Sequence, residues 1–208
     1  MTQLTSKAVT FSSGALALEG ALHLPAATPA AGAVVCHPHP QYGGDMENNV
    51  VVAACDWLAD RGYAALRFNF RGAGASEGTF DQGAGEQDDV RAALSFLAAQ
   101  PEVDAKRIGL VGYSFGAMMA AEVASGELRG LALVSPPLAS ADLRVAWGCP
   151  VLLLGGDRDE VAPAERLRVV GEQAGVELEI VQGADHSWWG FEDDLGEALV
   201  RFFERHFR

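Results

Sequence analysis

The sequence predicts one α/β domain over residues 1–208, with a mostly parallel central sheet of about eight strands and helices on both of its faces. Three observations support this fold class. A chain of 208 residues with 49% hydrophobic and 21% charged residues can bury one sizeable core. Short apolar runs alternate with longer segments of helical periodicity. No internal repeat, low-complexity tract or long linker divides the chain.

The chain opens with two strands that we expect to be antiparallel. Residues 7–11 and 15–24 alternate apolar and polar side chains with a period of two, as half-buried strands do. A loop at 25–32, which contains two prolines and a glycine, separates these strands from the rest of the chain.

From residue 33 onward, predicted strands and helices alternate. The strands are AVVC (33–36), YAALRFNF (63–70), RIGLVG (107–112), LALVS (131–135), VLLLG (151–155) and VELEIV (176–181), and the helices cover 49–61, 85–100, 114–125, the segment after Pro163, and 191–207. This alternation predicts a parallel sheet with helical crossovers. Active sites in such sheets lie at the carboxyl ends of the strands, so we expect functional residues in the loops that follow the apolar runs.

Charge and cysteine usage exclude several kinds of partner. The formal net charge of -13 argues against nucleic acid and against an anionic membrane surface, because both bind clustered Lys and Arg. No apolar run reaches the roughly 18 residues that span a bilayer, and the first residues lack a signal-peptide pattern. The three cysteines are odd in number and widely spaced, so we expect buried thiols rather than disulfides. A cytoplasmic location is therefore expected.

The pattern Gly-x-Ser-x-Gly occurs twice, at 112–116 and at 74–78. It places a serine on a tight strand-to-helix turn, where flanking glycines avoid collisions with neighbouring backbone. Ser114 follows a predicted buried strand and precedes a helix-forming segment, so free N–H groups at the helix N-terminus would favour a developing oxyanion there. Ser76 lies in a Gly-rich loop that no apolar helix directly follows. Context favours Ser114 as the nucleophile, although a serine at this position can also be a simple helix N-cap.

A serine nucleophile needs a base, and the base needs an acid that holds its tautomer. His186 lies in a loop between the last predicted strand and the last helix, from which it can reach over the sheet edge. His23 and His206 are better explained as histidines of a strand and of a charged helix. The segment 151–163 supplies three candidate acids directly after a buried strand: Asp157, Asp159 and Glu160.

Four segments of the chain carry a family resemblance. GYSFG at 112–116, HPHPQYGG at 37–44, RFNFRGAGASEG at 67–78 and the spacing G-x-x-D-x-V-x-P at 156–163 resemble a bacterial group of small, lidless α/β-hydrolases related to carboxylesterases and dienelactone hydrolases. The resemblance covers nearly the whole chain. It implies an α/β-hydrolase fold without a cap domain, and it points to Asp159 rather than Asp157 as the acid. The order Ser114, Asp159, His186 is also the chain order of that fold.

Acyl transfer further needs two backbone N–H donors, which form an oxyanion hole. One is predicted to be the N–H of Phe115, directly after the nucleophile. The resemblance places the other in the 37–44 loop and points to His39, because its two proline neighbours have no N–H. Gln41 or Tyr42 could also supply it.

His37 and His39 have a spacing that could suit a metal pair, but no acidic residue has a compelling spacing to them that would complete the three ligands of a catalytic site. We therefore expect no metal and no cofactor. Tyr42 and Trp188 are the candidates for substrate contact. The sequence leaves open whether the large apolar side chains near the predicted triad line an acyl pocket or pack in the core: Phe115, Met118, Trp188 and Trp189.

Together these residues predict a serine hydrolase that cleaves a small carboxylic ester through an acyl-serine intermediate. A thioester, lactone or peptide bond could be cleaved by the same triad, and a binding module that has lost catalysis is a further alternative, against which the complete Ser-Asp-His set argues. The interval 136–150 has only fifteen residues, too few for a folded lid, so an open site is expected. The oligomeric state is left open.

Overall fold

A sheet of eight strands forms the centre of the computed structural model, which describes residues 5–143, 146–174 and 176–207. Its strands are β1 (Thr5–Ser13), β2 (Leu16–Leu24), β3 (Ala30–Cys36), β4 (Ala64–Phe68), β5 (Val103–Tyr113), β6 (Gly130–Val134), β7 (Val151–Gly156) and β8 (Glu177–Val181). Their spatial order is β1-β2-β4-β3-β5-β6-β7-β8. The pairs β1–β2 and β2–β4 are antiparallel and all others are parallel. The prediction of a mostly parallel sheet with an antiparallel start is confirmed.

Five α-helices cover the two faces of this sheet in the described part of the chain: α1 (Asn49–Asp60), α2 (Ala84–Ala98), α3 (Phe115–Val123), α4 (Ala164–Ala174) and α5 (Glu192–His206). The helices α1 and α5 pack together on one face, where Leu58 and Phe203 are fully buried. The helices α2, α3 and α4 cover the other face. A Cβ at Gly196 would lie 2.1 Å from the ring of Trp57, so the close approach of α5 to α1 requires this glycine.

Local signals explain where these helices begin and end. The Asn48 side chain caps α1 by accepting the N–H of Val50 at 3.0 Å, which satisfies a donor that the helix itself leaves free. In α5, acidic residues occupy the first turn and basic residues the last, an arrangement that complements the helix dipole: Glu192, Asp193 and Asp194, then Arg205 and His206.

The central strands determine where the functional loops lie. Every residue of β3, β6 and β7 is buried because helices cover both faces of the sheet, and this explains the continuous apolar runs in the sequence. The carboxyl ends of the parallel strands β3 and β5 to β8 meet at one edge. The loops that follow them are therefore brought to that edge, although they are up to 150 residues apart along the chain.

Some boundaries differ from the sequence prediction. The strand β5 begins at Val103, earlier than predicted, because its ladder to β3 shifts register over residues 104–107 and still pairs Val103 with Ala30. The loop after β3 contains a 3₁₀ turn at Pro40–Tyr42. Within the segment 136–150, the described positions hold no helix, in keeping with the expected lack of a lid.

None of the helices in the described ranges combines the length and the apolar character that a membrane span requires.

Candidate active site

Ser114 lies on a sharp turn between β5 and α3. Its backbone has a φ of 54° and a ψ of -117°, a strained conformation for a residue other than glycine. A Cβ at Gly112 would lie 2.3 Å from the carbonyl oxygen of Gly116, and a Cβ at Gly116 would lie 2.4 Å from that of Cys36. Both glycines of the motif are thus needed for the turn that holds the serine hydroxyl at the N-terminus of α3.

The structure brings Ser114, His186 and Asp159 into one hydrogen-bonded chain. His186 Nε2 lies 3.0 Å from Ser114 Oγ, and His186 Nδ1 lies 2.9 Å from Oδ2 of Asp159. Because an ionised carboxylate only accepts hydrogen bonds, Nδ1 carries the ring proton and Nε2 is left to accept the serine hydroxyl. This is the arrangement in which a histidine can remove the proton of a serine nucleophile.

Asp159 is held independently of the histidine. It is 4% exposed, and its Oδ1 accepts the backbone N–H groups of Val161 and Ala162 at 2.9 and 2.8 Å. Burial by itself raises the pKa of this carboxyl group. Hydrogen bonds from His186, Ala162 and Ser135, together with electrostatic attraction to His186, outweigh that effect, so the pKa of Asp159 lies below its ordinary value. The group therefore remains an anion and an acceptor.

The two neighbouring acids have other surroundings. Asp157 is exposed, and its Oδ1 accepts the N–H of Gly183 at 2.6 Å, which ties the end of β7 to the turn after β8. Glu160 is also exposed. Of the three acids that the sequence offered, Asp159 is the one that the fold directs at His186.

The second Gly-x-Ser-x-Gly match has a structural role. Ser76 is 7% exposed, and its Oγ accepts the N–H of Glu19 at 3.0 Å and donates to the carbonyl oxygen of Asn69 at 2.7 Å. A Cβ at Gly74 would lie 2.1 Å from the carboxylate of Glu19 and 2.2 Å from the amide of Asn69. This motif therefore packs a loop against β2 and the end of β4, and its serine hydroxyl is engaged by neither His186 nor Asp159 in the hydrogen bonds of the triad.

His37 is a buried, neutral histidine in the loop after β3, and its two ring nitrogens link separate segments of backbone. Its ring is fully buried, its Nδ1 donates to the carbonyl oxygen of Pro38 at 2.6 Å, and its Nε2 accepts the N–H of Phe70 at 3.0 Å. Burial lowers the pKa of His37 to about 4, against the opposing effect of the bond to Pro38. A protonated Nε2 could no longer accept the N–H of Phe70, so this hydrogen bond depends on the neutral ring.

This pKa predicts an acid-sensitive contribution to stability. The ordinary pKa of His37 is 6.5 and the folded value is about 4, so between these values the unfolded chain binds a proton that the folded chain does not. The stabilising contribution is complete above pH 6.5 and declines, by at most about 3 kcal/mol, as the pH falls toward 4. We expect the unfolding free energy measured with urea to decline over this range more steeply in the wild type than in His37→Gln. The glutamine oxygen can accept the Phe70 N–H without titrating. A constant difference between the two proteins from pH 7.5 to pH 4.5 would contradict this assignment.

His39 has a different role from His37 in this loop. It caps the 3₁₀ turn, where its Nδ1 accepts the N–H of Gln41 at 3.2 Å. Its ring packs against Tyr42, Phe80 and Phe115, with centroid distances of 4.7, 4.8 and 4.8 Å. The two histidine rings thus hold the loop together, His37 from a fully buried position and His39 from a partly exposed one. Over the described positions, no group of three residues is arranged to hold a metal ion.

An open pocket of about 620 Å³ lies in front of Ser114. Tyr42 stands at its rim with 88% of its surface exposed, where a substrate could contact it. The lining comes from all the functional loops: Pro38, His39, Tyr42, Gly43, Gly44, Asn48, Tyr113, Ser114, Phe115, Pro137, Ser140, Val161 and His186.

Trp188 does not line this pocket, so the expectation that it contacts substrate is corrected. Its side chain is fully buried among the residues beneath α1 and α5, and its Nε1 donates to Ser135 Oγ at 3.0 Å. Its neighbour Trp189 points outward and is 72% exposed. Two adjacent tryptophans in an irregular loop have opposite surroundings because the backbone turns at Trp188, where φ is 59°.

Two residues near the triad were missed at the sequence level. Tyr113 lies in the Gly-x-Ser-x-Gly motif, and its hydroxyl donates to the carbonyl oxygen of His186 at 2.5 Å. Ser135 is fully buried at the end of β6 and contributes to the low pKa of Asp159. The only sequence signal for these two residues was their position, because each polar group stands at the carboxyl end of an apolar strand.

The fold and the triad define the chain as an α/β serine hydrolase, and the described residues form no lid over the site. The family model for X-Pro dipeptidyl-peptidase (S15 family) matches residues 15–150, and the chain belongs to this family. The matched segment contains Ser114 and ends before Asp159 and His186.

Several relatives resemble the chain over most of its length. The uncharacterized protein RP471 of Rickettsia prowazekii is 36% identical over 181 residues, which cover 80% of this chain and 76% of that protein. An alpha-beta serine hydrolase homologue from Coxiella burnetii has 34% identity and a TM-score of 0.83, with 97% of each chain covered. XC6422 from Xanthomonas campestris, a serine hydrolase without lid, has 33% identity and a TM-score of 0.84, with 96% of this chain and 94% of that chain covered.

Proposed function

We propose that this protein is a carboxylesterase that hydrolyses small, uncharged carboxylic esters through an acyl-serine intermediate. The observation that carries the proposal is the hydrogen-bonded triad at the floor of an open pocket, with 3.0 Å between Ser114 Oγ and His186 Nε2. A binding module that had lost catalysis would have no need of this alignment or of the strained turn at Ser114.

The proposed mechanism assigns one role to each triad residue. Ser114 Oγ attacks the ester carbonyl while His186 Nε2 takes its proton, and His186 then returns the proton to the leaving alcohol. Asp159 stabilises the imidazolium that forms between these steps. A water molecule, activated by His186 in the same way, releases the carboxylic acid and restores Ser114.

We propose the backbone N–H groups of Phe115 and His39 as the oxyanion hole. Phe115 is the first residue of α3, whose initial N–H groups have no acceptor within the helix. Gln41 and Tyr42 are weaker candidates because their N–H groups already donate to His39, to Nδ1 at 3.2 Å and to the carbonyl oxygen at 3.0 Å. Of these three N–H groups in the loop, that of His39 is therefore best able to donate a hydrogen bond to the oxyanion.

The pocket chemistry favours an uncharged ester over a dipeptide substrate. Membership of the S15 family makes release of X-Pro dipeptides a specific second candidate. That activity would require a free N-terminal ammonium group to be bound near the triad, and a desolvated ammonium group needs a carboxylate partner. Among the described residues that line the pocket, none is Asp, Glu, Lys or Arg.

A substrate series tests the proposed function. We expect kcat/KM for p-nitrophenyl esters to be highest for acyl chains of about two to six carbons, because an open pocket cannot bury longer chains and even complete burial contributes only about 0.8 kcal/mol per CH₂. The measurement compares p-nitrophenyl acetate, butyrate, octanoate and palmitate with Ala-Pro-p-nitroanilide, and Ser114→Ala supplies the background rate. A steady rise toward palmitate would contradict an open site, and faster cleavage of the anilide would favour the peptidase.

We also propose a cytoplasmic protein whose partner is the small-molecule substrate, and not nucleic acid or a membrane. The net charge of -13 supports this, as do the three free cysteines, Cys36, Cys55 and Cys149.

A further inference from the structure

Among the hydrogen bonds that hold the histidine loop, which we define as residues 182–191 between β8 and α5, two connect it to the ends of the central strands β5 and β6. The hydroxyl of Tyr113 donates to the backbone carbonyl oxygen of His186 at 2.5 Å. Two residues further along the loop, Trp188 Nε1 donates to Ser135 Oγ at 3.0 Å. The histidine is thus tied at its own backbone to the end of β5, and through Trp188 to the end of β6.

The bond between Trp188 and Ser135 is buried, and the bond from Tyr113 to His186 is partly buried at the wall of the pocket. Tyr113 is 5% exposed, whereas Ser135 and Trp188 are fully buried. Burial, together with the nearby charges of Asp159 and Asp185, raises the pKa of Tyr113, so its hydroxyl stays protonated and remains a donor. Water has little access to the bond between Trp188 and Ser135, which therefore constrains the loop more than a surface contact would.

Ser135 links the histidine loop to the acid. Its hydroxyl accepts the indole N–H of Trp188, which leaves its own hydrogen free to be donated. Its hydrogen-bonding interaction with Asp159 is one of the effects that hold the pKa of that carboxyl group low, along with those of His186 and Ala162, against the larger effect of burial. Ser135 thus interacts both with Trp188, which anchors the loop of His186, and with Asp159, which supports His186.

Backbone strain is concentrated in the same network. In the part of the chain that the structure describes, four residues other than glycine have a positive φ: Gln82, Ser114, Ser135 and Trp188. Three of them are the nucleophile and the two ends of the Trp188–Ser135 bond, with φ values of 54°, 46° and 59°. Such conformations are rare for a bulky side chain and persist only where the surroundings enforce them. The surroundings of Trp188, and not a local preference of its backbone, therefore enforce this conformation.

We propose that Tyr113, Ser135 and Trp188 are positioning residues, which hold His186 and Asp159 in the orientation that lets His186 take the proton of Ser114. The proposal rests on the serine-hydrolase mechanism proposed above, and it does not depend on which acyl group is cleaved. A displacement of about 1 Å in a reacting group can lower a rate about 100-fold, so loss of either bond should slow the chemical step.

Conservative substitutions separate this role from a purely structural one. Tyr113→Phe and Trp188→Phe each keep a buried ring and remove one donor, while Ser135→Ala removes the acceptor of the indole. We expect each variant to lower kcat for p-nitrophenyl butyrate about 10- to 100-fold with KM within about twofold of the wild type. The rate at which a fluorophosphonate probe labels Ser114 should fall by a similar factor. Trp189→Phe, in the exposed neighbour, is the matched control and should leave both rates unchanged.

The double variant Trp188→Phe with Ser135→Ala should be close to Ser135→Ala alone, because both changes break the same bond. Folded variants with unchanged kcat and labelling rate would overturn the proposal, as would losses that simply follow the unfolded fraction measured in urea. If Trp188→Phe fails to fold, Ser135→Ala tests the same bond from the other side. If the probe labels the wild type but the wild type cleaves no ester, only the ester proposal fails. The labelling rates of the variants then still test the proposal that these three residues position His186 and Asp159.

Discussion

Replacing Ser114 with alanine is expected to lower kcat for p-nitrophenyl butyrate by about 10⁶-fold, the order of magnitude seen when a triad nucleophile is removed. The hydroxyl is the group that His186 Nε2 contacts at 3.0 Å, and the alanine side chain offers no other nucleophile. Stability should change little, because the substitution removes one oxygen from a side chain at the pocket floor and keeps the Cβ. Initial rates at matched concentrations and a urea unfolding curve measure both effects.

Ser76→Ala is the matched control, since it changes the serine of the other Gly-x-Ser-x-Gly match. Its hydroxyl joins Glu19 to Asn69 in a buried site, so its removal should lower the free energy of unfolding by about 1 to 3 kcal/mol. The activity per folded molecule should remain near that of the wild type. Ester turnover that survives in Ser114→Ala, or that is lost in folded Ser76→Ala, would show that the nucleophile has been assigned to the wrong serine.

Replacing Asp159 with asparagine is expected to lower kcat about 10⁴-fold, the effect of the equivalent change in serine proteases. The N–H groups of Val161 and Ala162 select the amide oxygen for the Oδ1 position, at 2.9 and 2.8 Å. The amide NH₂ then takes the Oδ2 position, 2.9 Å from His186 Nδ1. A donor there forces the ring proton onto Nε2, and a protonated Nε2 cannot accept the proton of Ser114.

Asp157→Asn controls for the loss of one negative charge from the same loop. Asp157 is exposed and bonds the N–H of Gly183, which the amide oxygen of asparagine can also accept, so kcat should stay within a few-fold of the wild type. Both variants are compared by kcat for p-nitrophenyl butyrate. The opposite ranking of the two variants would assign the acid to Asp157.

The sequence by itself determined the fold class and the order of its elements. Strands such as β3 and β7 are buried on both faces, so their apolar runs were visible without knowledge of their neighbours. The strand-to-helix context of Ser114 is equally local, since a buried strand and an apolar helix adjoin it in the chain. Periodicity and local context predict elements well because both depend on residues that are close in sequence.

The tertiary structure alone decided which polar groups meet. Asp157 and Asp159 share one short loop, and their spacing in sequence does not reveal that one faces solvent and the other His186. Trp188 was predicted to contact substrate, yet the turn in its backbone buries it against Ser135, a residue 53 positions earlier in the chain. These outcomes depend on loops from separate strands that converge at one edge of the sheet. The direction of a side chain in such a loop is set by neighbours that are distant in sequence, and a pattern read along the chain contains no record of them.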